Sequence, residues 1–191
     1  MTESAAPESG RIVAVCVVAE LHPDSGSVGV TAIDKRVVDG PVKVGPLGLR
    51  ADVQADRKHH GGPDKAVYVY GQNDADFWSG ELGRDLPPGW FGENLRVSGM
   101  DVNAARIGER WRIGDKLEVE VTSPRVPCQT FARWVGGDDA RGWVKRFASV
   151  GRLGLYLRVV KSGPVQAGDA VVVVDRPDDA PTVLEEFRGT A

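Results

Sequence analysis

The chain has only two cysteines in 191 residues, Cys16 and Cys128, far apart and neither in a C-x-x-C pair. That scarcity argues against a disulfide framework and points to a reducing, cytoplasmic setting. Histidines number only three and are scattered, so the four closely spaced Cys/His ligands of a structural zinc site are lacking. No apolar run approaches the roughly 20 residues needed to cross a bilayer. Residues 1–10 carry two Glu and no Lys or Arg, so they lack the basic start of a secretory signal and read as a flexible tail. No G-x-G-x-x-G and no G-K-S/T occurs, which excludes the familiar dinucleotide and P-loop phosphate cradles. With 24 basic and 27 acidic residues the formal charge is -3, and nothing global invites nucleic acid or an anionic membrane.

What is present is an ordinary globular balance, 41% apolar and 27% charged. A chain of this length hides roughly 70% of its unfolded surface and needs no metal to fold. Strand-like runs occur at 11–21 (RIVAVCVVAEL), 66–70 (AVYVY), 94–97, 154–160 and 170–174. The alternating run at 116–122 (KLEVEVT) has the period of a half-buried strand. Helical spacing is confined to 73–82, with Asn73 or Asp74 near its N-cap, to 130–147 split by Gly136-Gly137, and to the last ten residues. There is no repeat or low-complexity block, so residues 11–191 read as a single domain. Short strands at turn-like spacing with few, short helices predict a mainly β fold that closes into a barrel.

Three segments look overspecified for folding alone. Residues 56–65 (DRKHHGGPDK) place two histidines, three basic side chains and a Gly-Gly pair in one loop. Such glycines let a backbone approach a ligand and turn its N–H groups toward an anion, although a solvated turn explains them equally well. Residues 88–95 (PGWFGENL) hold two aromatics between glycines, then Glu93 and Asn94; packing accounts for the rings, while the Asn94 amide suits a polar ligand. Residues 123–128 (SPRVPC) stiffen the backbone with two prolines and set Cys128 close to Arg125. A neighbouring cation favours the thiolate, the form that ligates soft metals. A buried small hydrophobe is the alternative for Cys128, and Cys16, flanked by valines, has the setting of an inert core thiol.

Taken together, DRKHHGGPDKAVYVY, PGWFGENL and SPRVPC, in this order and followed by GLYLRVV, resemble the MOSC domain, from about residue 15 to 177. The resemblance implies a MOSC-type β-barrel that binds a molybdenum cofactor of molybdopterin type, with Cys128 as the molybdenum ligand. It further implies that His60, Gly61, Gly62, Lys65, Asn94 and Arg125 line the cofactor or substrate pocket. The activity it suggests is reduction of N-hydroxylated bases or related N–O compounds, a small-molecule reaction in which His60 is placed to supply protons. With no flavin or nicotinamide motif, electrons would come from a separate reductase. Two other roles fit the same residues: a carrier or store of the cofactor without turnover, and a sulfur carrier using a Cys128 persulfide. One departure lies beside the pocket, where Ala51 precedes Asp52 in place of the family's usual glycine. A second is Val37, which follows Lys35-Arg36 where proline is common.

Overall fold

The computed structural model describes residues 9–55, 61–137 and 141–190. Among these, thirteen strands form: β1 Ser9–Val18, β2 His22–Pro23, β3 Val30–Thr31, β4 Lys35–Val37, β5 Val42–Gly45, β6 Gly48–Leu49, β7 Val67–Gly71, β8 Leu95–Ser98, β9 Arg110–Ile113, β10 Leu117–Pro124, β11 Leu155–Lys161, β12 Gly163–Val165 and β13 Ala170–Asp175. The α-helices are α1 Gln72–Leu82, α2 Gln129–Gly136, α3 Trp143–Val150 and α4 Val183–Thr190.

Seven strands close a barrel in the order β13-β9-β10-β11-β7-β8-β1, and β1 returns to β13 with Ser9 opposite Val172. Closure removes free strand edges, which is why a chain of short strands can form a stable sheet. Neighbours run antiparallel except β7 and β8, which are parallel. A parallel pair needs a crossover, and α1 with the loop after it supplies one. Outside the ring, β4 pairs with the end of β1, β2 with β3, and β5 joins β6 and β12.

Side-chain alternation divides the interior into two. Val67, Val69, Leu155 and Leu157 point into a largely aliphatic barrel core with Leu95, Val119 and the single aromatic Trp111. The residues between them, Tyr68, Tyr70 and Tyr156, point outward and are still buried, because Phe91, Phe131, Phe147 and Trp78 cover them. β7 is therefore apolar on both faces, which explains its unbroken AVYVY sequence. Phe91 stacks on Tyr70 at 4.0 Å, and Phe131 meets Phe147 at 4.6 Å, so α2 and α3 are fastened to the barrel wall through rings.

Two local details depart from the sequence reading. Gly71 caps α1, whereas Asp74 turns inward to Arg152 and Asn103, each at 2.7 Å. The strand β9 (RWRI) is additional; Trp111 and Ile113 are buried and alternate with exposed arginines. At the C-terminus the short terminal helix does form, and a capping box starts it: the Glu185 N–H donates to Thr182 Oγ1 while the Thr182 N–H donates to the Glu185 carboxylate. No helix among the described residues is long and apolar enough to cross a membrane.

Ala51 has φ 71°, the one left-handed non-glycine among the described residues. A Cβ in that region costs about 1–2 kcal/mol, and part of it is offset because alanine loses less chain entropy on folding than glycine. Ala51→Gly should therefore raise stability by about 0.5–1 kcal/mol, a Tm gain of about 2 °C by calorimetry. A lower Tm would mean that the turn carries no strain.

Candidate active site

The outward face of β7 and β11 forms the floor of a cavity of about 480 Å³. Tyr68 and Tyr156 come from the strands, Phe91, Gly92 and Asn94 from the crossover loop, and Arg125 and Cys128 from the segment linking β10 to α2. The cavity lies against the outer barrel wall, since the lumen is filled by the aliphatic core.

Pro124 ends β10, and residues 125–128 run without regular structure until Cys128 caps α2. The cap is direct: the Phe131 N–H donates to Cys128 Sγ at 3.5 Å. Arg125 Nη2 lies 3.7 Å from the same sulfur, and another guanidinium N–H donates to the Val126 carbonyl at 3.2 Å. The helix start and the guanidinium thus both place positive charge beside the sulfur. Arg125 is buried, with its guanidinium over the rings of Phe131 at 4.8 Å and Tyr68 at 5.8 Å. Burial opposes its charge, yet the neighbouring Tyr68 and Cys128 hold its pKa above the ordinary arginine value. No described carboxylate pairs with it, although a buried cation normally has such a partner.

The other cations at the cavity are engaged. Lys35 donates to both oxygens of Asp52 at 2.7 Å, and both side chains are nearly buried. Asp52 also accepts from the Val18 N–H at 2.8 Å and from Asn94 Nδ2 at 2.7 Å. Asn94 sends its second donor to the Cys16 carbonyl and accepts from the Tyr68 N–H. It lines the cavity, but its amide is used in joining β1, β7 and the segment at Asp52. Lys65 lies 5.6 Å over the Tyr156 ring.

Of the residues singled out in the sequence, Lys65, Asn94, Arg125 and Cys128 converge on this cavity. Gly61 and Gly62 are not among its described lining; the Gly62 N–H, at a positive φ of 86°, donates instead to Gln54 Oε1 at 2.9 Å. His60 lies outside the described residues. Sequence reasoning missed Gln54, whose amide also reaches the Leu47 carbonyl and steadies the segment leading to Lys65. It also missed Asp52 as the partner of Lys35. Cys16 is fully buried, and burial pushes its thiol up to about 12.

The donor set accords with a metal that brings its own chelating ligand. Among the described residues no three His, Cys, Asp or Glu side chains gather as a metal cage. A metal here would take sulfur from Cys128, and the Arg125 guanidinium beside it suits an anionic group.

Comparison with known proteins gives the family of the chain. The chain is 36% identical to the uncharacterized protein YflK of Bacillus subtilis over 146 residues, 76% of this chain and 64% of YflK. It is 32% identical over 168 residues to a Gibberella moniliformis protein named Reductase, covering 83% of this chain but 28% of that protein. The chain thus spans less than two thirds of either relative. The crystal structure of YiiM from Geobacillus stearothermophilus superposes with a TM-score of 0.74 at 27% identity, covering 94% of this chain and 82% of YiiM. The family model described as MOSC domain matches residues 56–172, more than half of the chain, and the chain belongs to that family.

Proposed function

We propose that this protein holds a molybdopterin-type molybdenum cofactor through Cys128 and reduces N-hydroxylated bases or related N–O compounds. The observation that carries the reading is the buried Arg125, without a described carboxylate partner, 3.7 Å from the Cys128 sulfur at the cavity. Association of MOSC domains with molybdenum cofactor and the relative named Reductase support it. When bound, the cofactor supplies a two-electron redox couple suited to oxygen transfer.

The protein's own groups do the rest. Arg125 and the Phe131 N–H hold the sulfur in a fixed position and place positive charge beside it. Tyr68, Tyr156 and Phe91 contribute aromatic edges to the lining, which favours a largely apolar, cyclic substrate over a strongly charged one. Burial raises the Tyr68 hydroxyl well above its usual range, so it stays protonated and donates to the Leu153 carbonyl. Cleaving an N–O bond to amine and water consumes two electrons and two protons; His60 is our candidate proton donor, from the sequence.

Electrons require a second protein, since the chain carries no nucleotide-binding glycine fingerprint and no cysteine cluster. Purified, molybdenum-loaded protein should not consume 6-hydroxylaminopurine with NADH or NADPH. It should do so with reduced viologen or a cellular reductase fraction. Turnover on nicotinamide alone would overturn the partner scheme, and inactivity in both assays at full molybdenum occupancy would overturn the reductase reading. Molybdenum and pterin analysis of protein purified anaerobically from a cofactor-producing host tests the cofactor itself.

A further inference from the structure

Residues 19–34 leave the barrel between β1 and β4 as an arm, and its β2–β3 hairpin forms one wall of the cavity through Asp24, Gly26, Ser27, Val28, Val30 and Thr31. The root of the arm is anchored by apolar contact: Ile33 is buried in the aromatic core. Its tip is different. Val28 is 44% exposed, and the turn is fastened to α2 by polar bonds. Arg133 Nε donates to Asp24 Oδ1 at 2.8 Å and Nη2 to Oδ2 at 2.7 Å, and Thr130 Oγ1 adds a bond at 3.0 Å. Arg133 holds the Asp24 carboxyl below the usual carboxylate range, so the pair is ionised at neutral pH. Arg133 and Thr130 both lie on the helix that Cys128 caps. At the base, His22 bonds Asp34 at 2.7 Å and its ring lies 5.7 Å from Trp134.

We propose that the β2–β3 hairpin is a lid over the cavity and that the Asp24–Arg133 pair is its latch, controlling access of a ligand to Cys128. A buried root with an ion-paired tip is the arrangement of a hinged loop, because a partly exposed ion pair can be broken and remade at little cost, whereas apolar burial cannot. The lid rests on the proposed function only for the identity of what it admits; its control of the thiol is independent of that.

The test follows Cys128 labelling in the cofactor-free, full-length protein with two neutral reagents, bulky pyrene maleimide and small methyl methanethiosulfonate. Asp24→Asn and Arg133→Gln should each raise the rate of the bulky reagent about fivefold relative to that of the small one, the factor corresponding to ~1 kcal/mol of latch; the ratio cancels the change in thiol reactivity that loss of a charge near Cys128 brings. Cys16 should stay unlabelled throughout, which certifies that the variants are folded. An unchanged bulky-to-small ratio in both variants with Cys16 protected would overturn the lid. If either variant exposes Cys16, wild-type protein decides the matter. Raising salt to about 1 M, where the Debye length is about 3 Å, should then accelerate the bulky reagent selectively, and a salt-independent rate would overturn the proposal. Metal analysis keeps the two readings apart. A working latch in a protein that never takes up molybdenum would leave the lid standing and remove the proposed function; molybdenum uptake with unaltered labelling would do the reverse.

Discussion

Cys128→Ser should reduce molybdenum content to background, below about a tenth of the wild-type stoichiometry, with Tm essentially unchanged. The two halves of this result have separate causes. A serine hydroxyl is a hard donor that does not ionise near neutral pH, so the position beside Arg125 loses its soft sulfur. Serine is nevertheless among the best N-caps, and its oxygen can take over the bond from the Phe131 N–H that sulfur accepts at 3.5 Å. Elemental analysis and calorimetry on the same preparation check both halves. Wild-type molybdenum content in the serine variant would end the metal-ligand assignment, whereas a large fall in Tm would show Cys128 to be a packing residue.

The largest effect on stability should come from Glu93→Ala. Glu93 and Arg96 are an ion pair with both side chains wholly buried. The Glu93 carboxylate also accepts the N–H groups of Gly89 at 2.9 Å and Phe91 at 3.0 Å, which shapes the aromatic loop along the cavity. Removing it strands the Arg96 charge in the interior, a loss of about 3–5 kcal/mol and a Tm lower by about 10 °C. Adding Arg96→Met to the same variant should recover part of the loss, since an apolar side chain asks for no counter-charge. A double variant no more stable than Glu93→Ala would show that the carboxylate acts only through the loop N–H groups.

Legibility of the molecule in its sequence followed the range of the interactions. Alternation in KLEVEVT and the doubly apolar AVYVY mark β10 and β7 because burial of each face depends on residues two apart. The barrel and its short helices follow from such local patterns. β9 is short and its polar positions are arginines, so RWRI carries little β signal outside its pairing with β10 and β13. At the site, Arg125 and Cys128 are three positions apart and could be associated by inspection. The helix cap formed by Cys128 is not legible in the sequence, because cysteine is an uncommon cap and the apolar spacing begins only at Phe131. Asp24 and Arg133 are 109 positions apart, and Asp52 and Asn94 are 42 apart. Pairings of that kind are created by the fold and leave no mark on either neighbourhood.

The ring of seven strands has an arithmetic of its own. Neighbours around a closed ring can all run antiparallel only when their number is even, as alternating colours can close on a necklace only with an even count of beads. With seven, at least one pair is obliged to match, and here it is β7 and β8. Between matched strands the chain must travel back the length of the barrel before it can begin again, and with the lumen full it can do so only outside. Residues 72–94 make that return journey, carrying α1 and then Phe91, Gly92 and Asn94 to the edge of the cavity. An even barrel could be joined by hairpins throughout and would have no such detour; the cavity in this protein has one of its walls in the excursion that an odd strand count enforces.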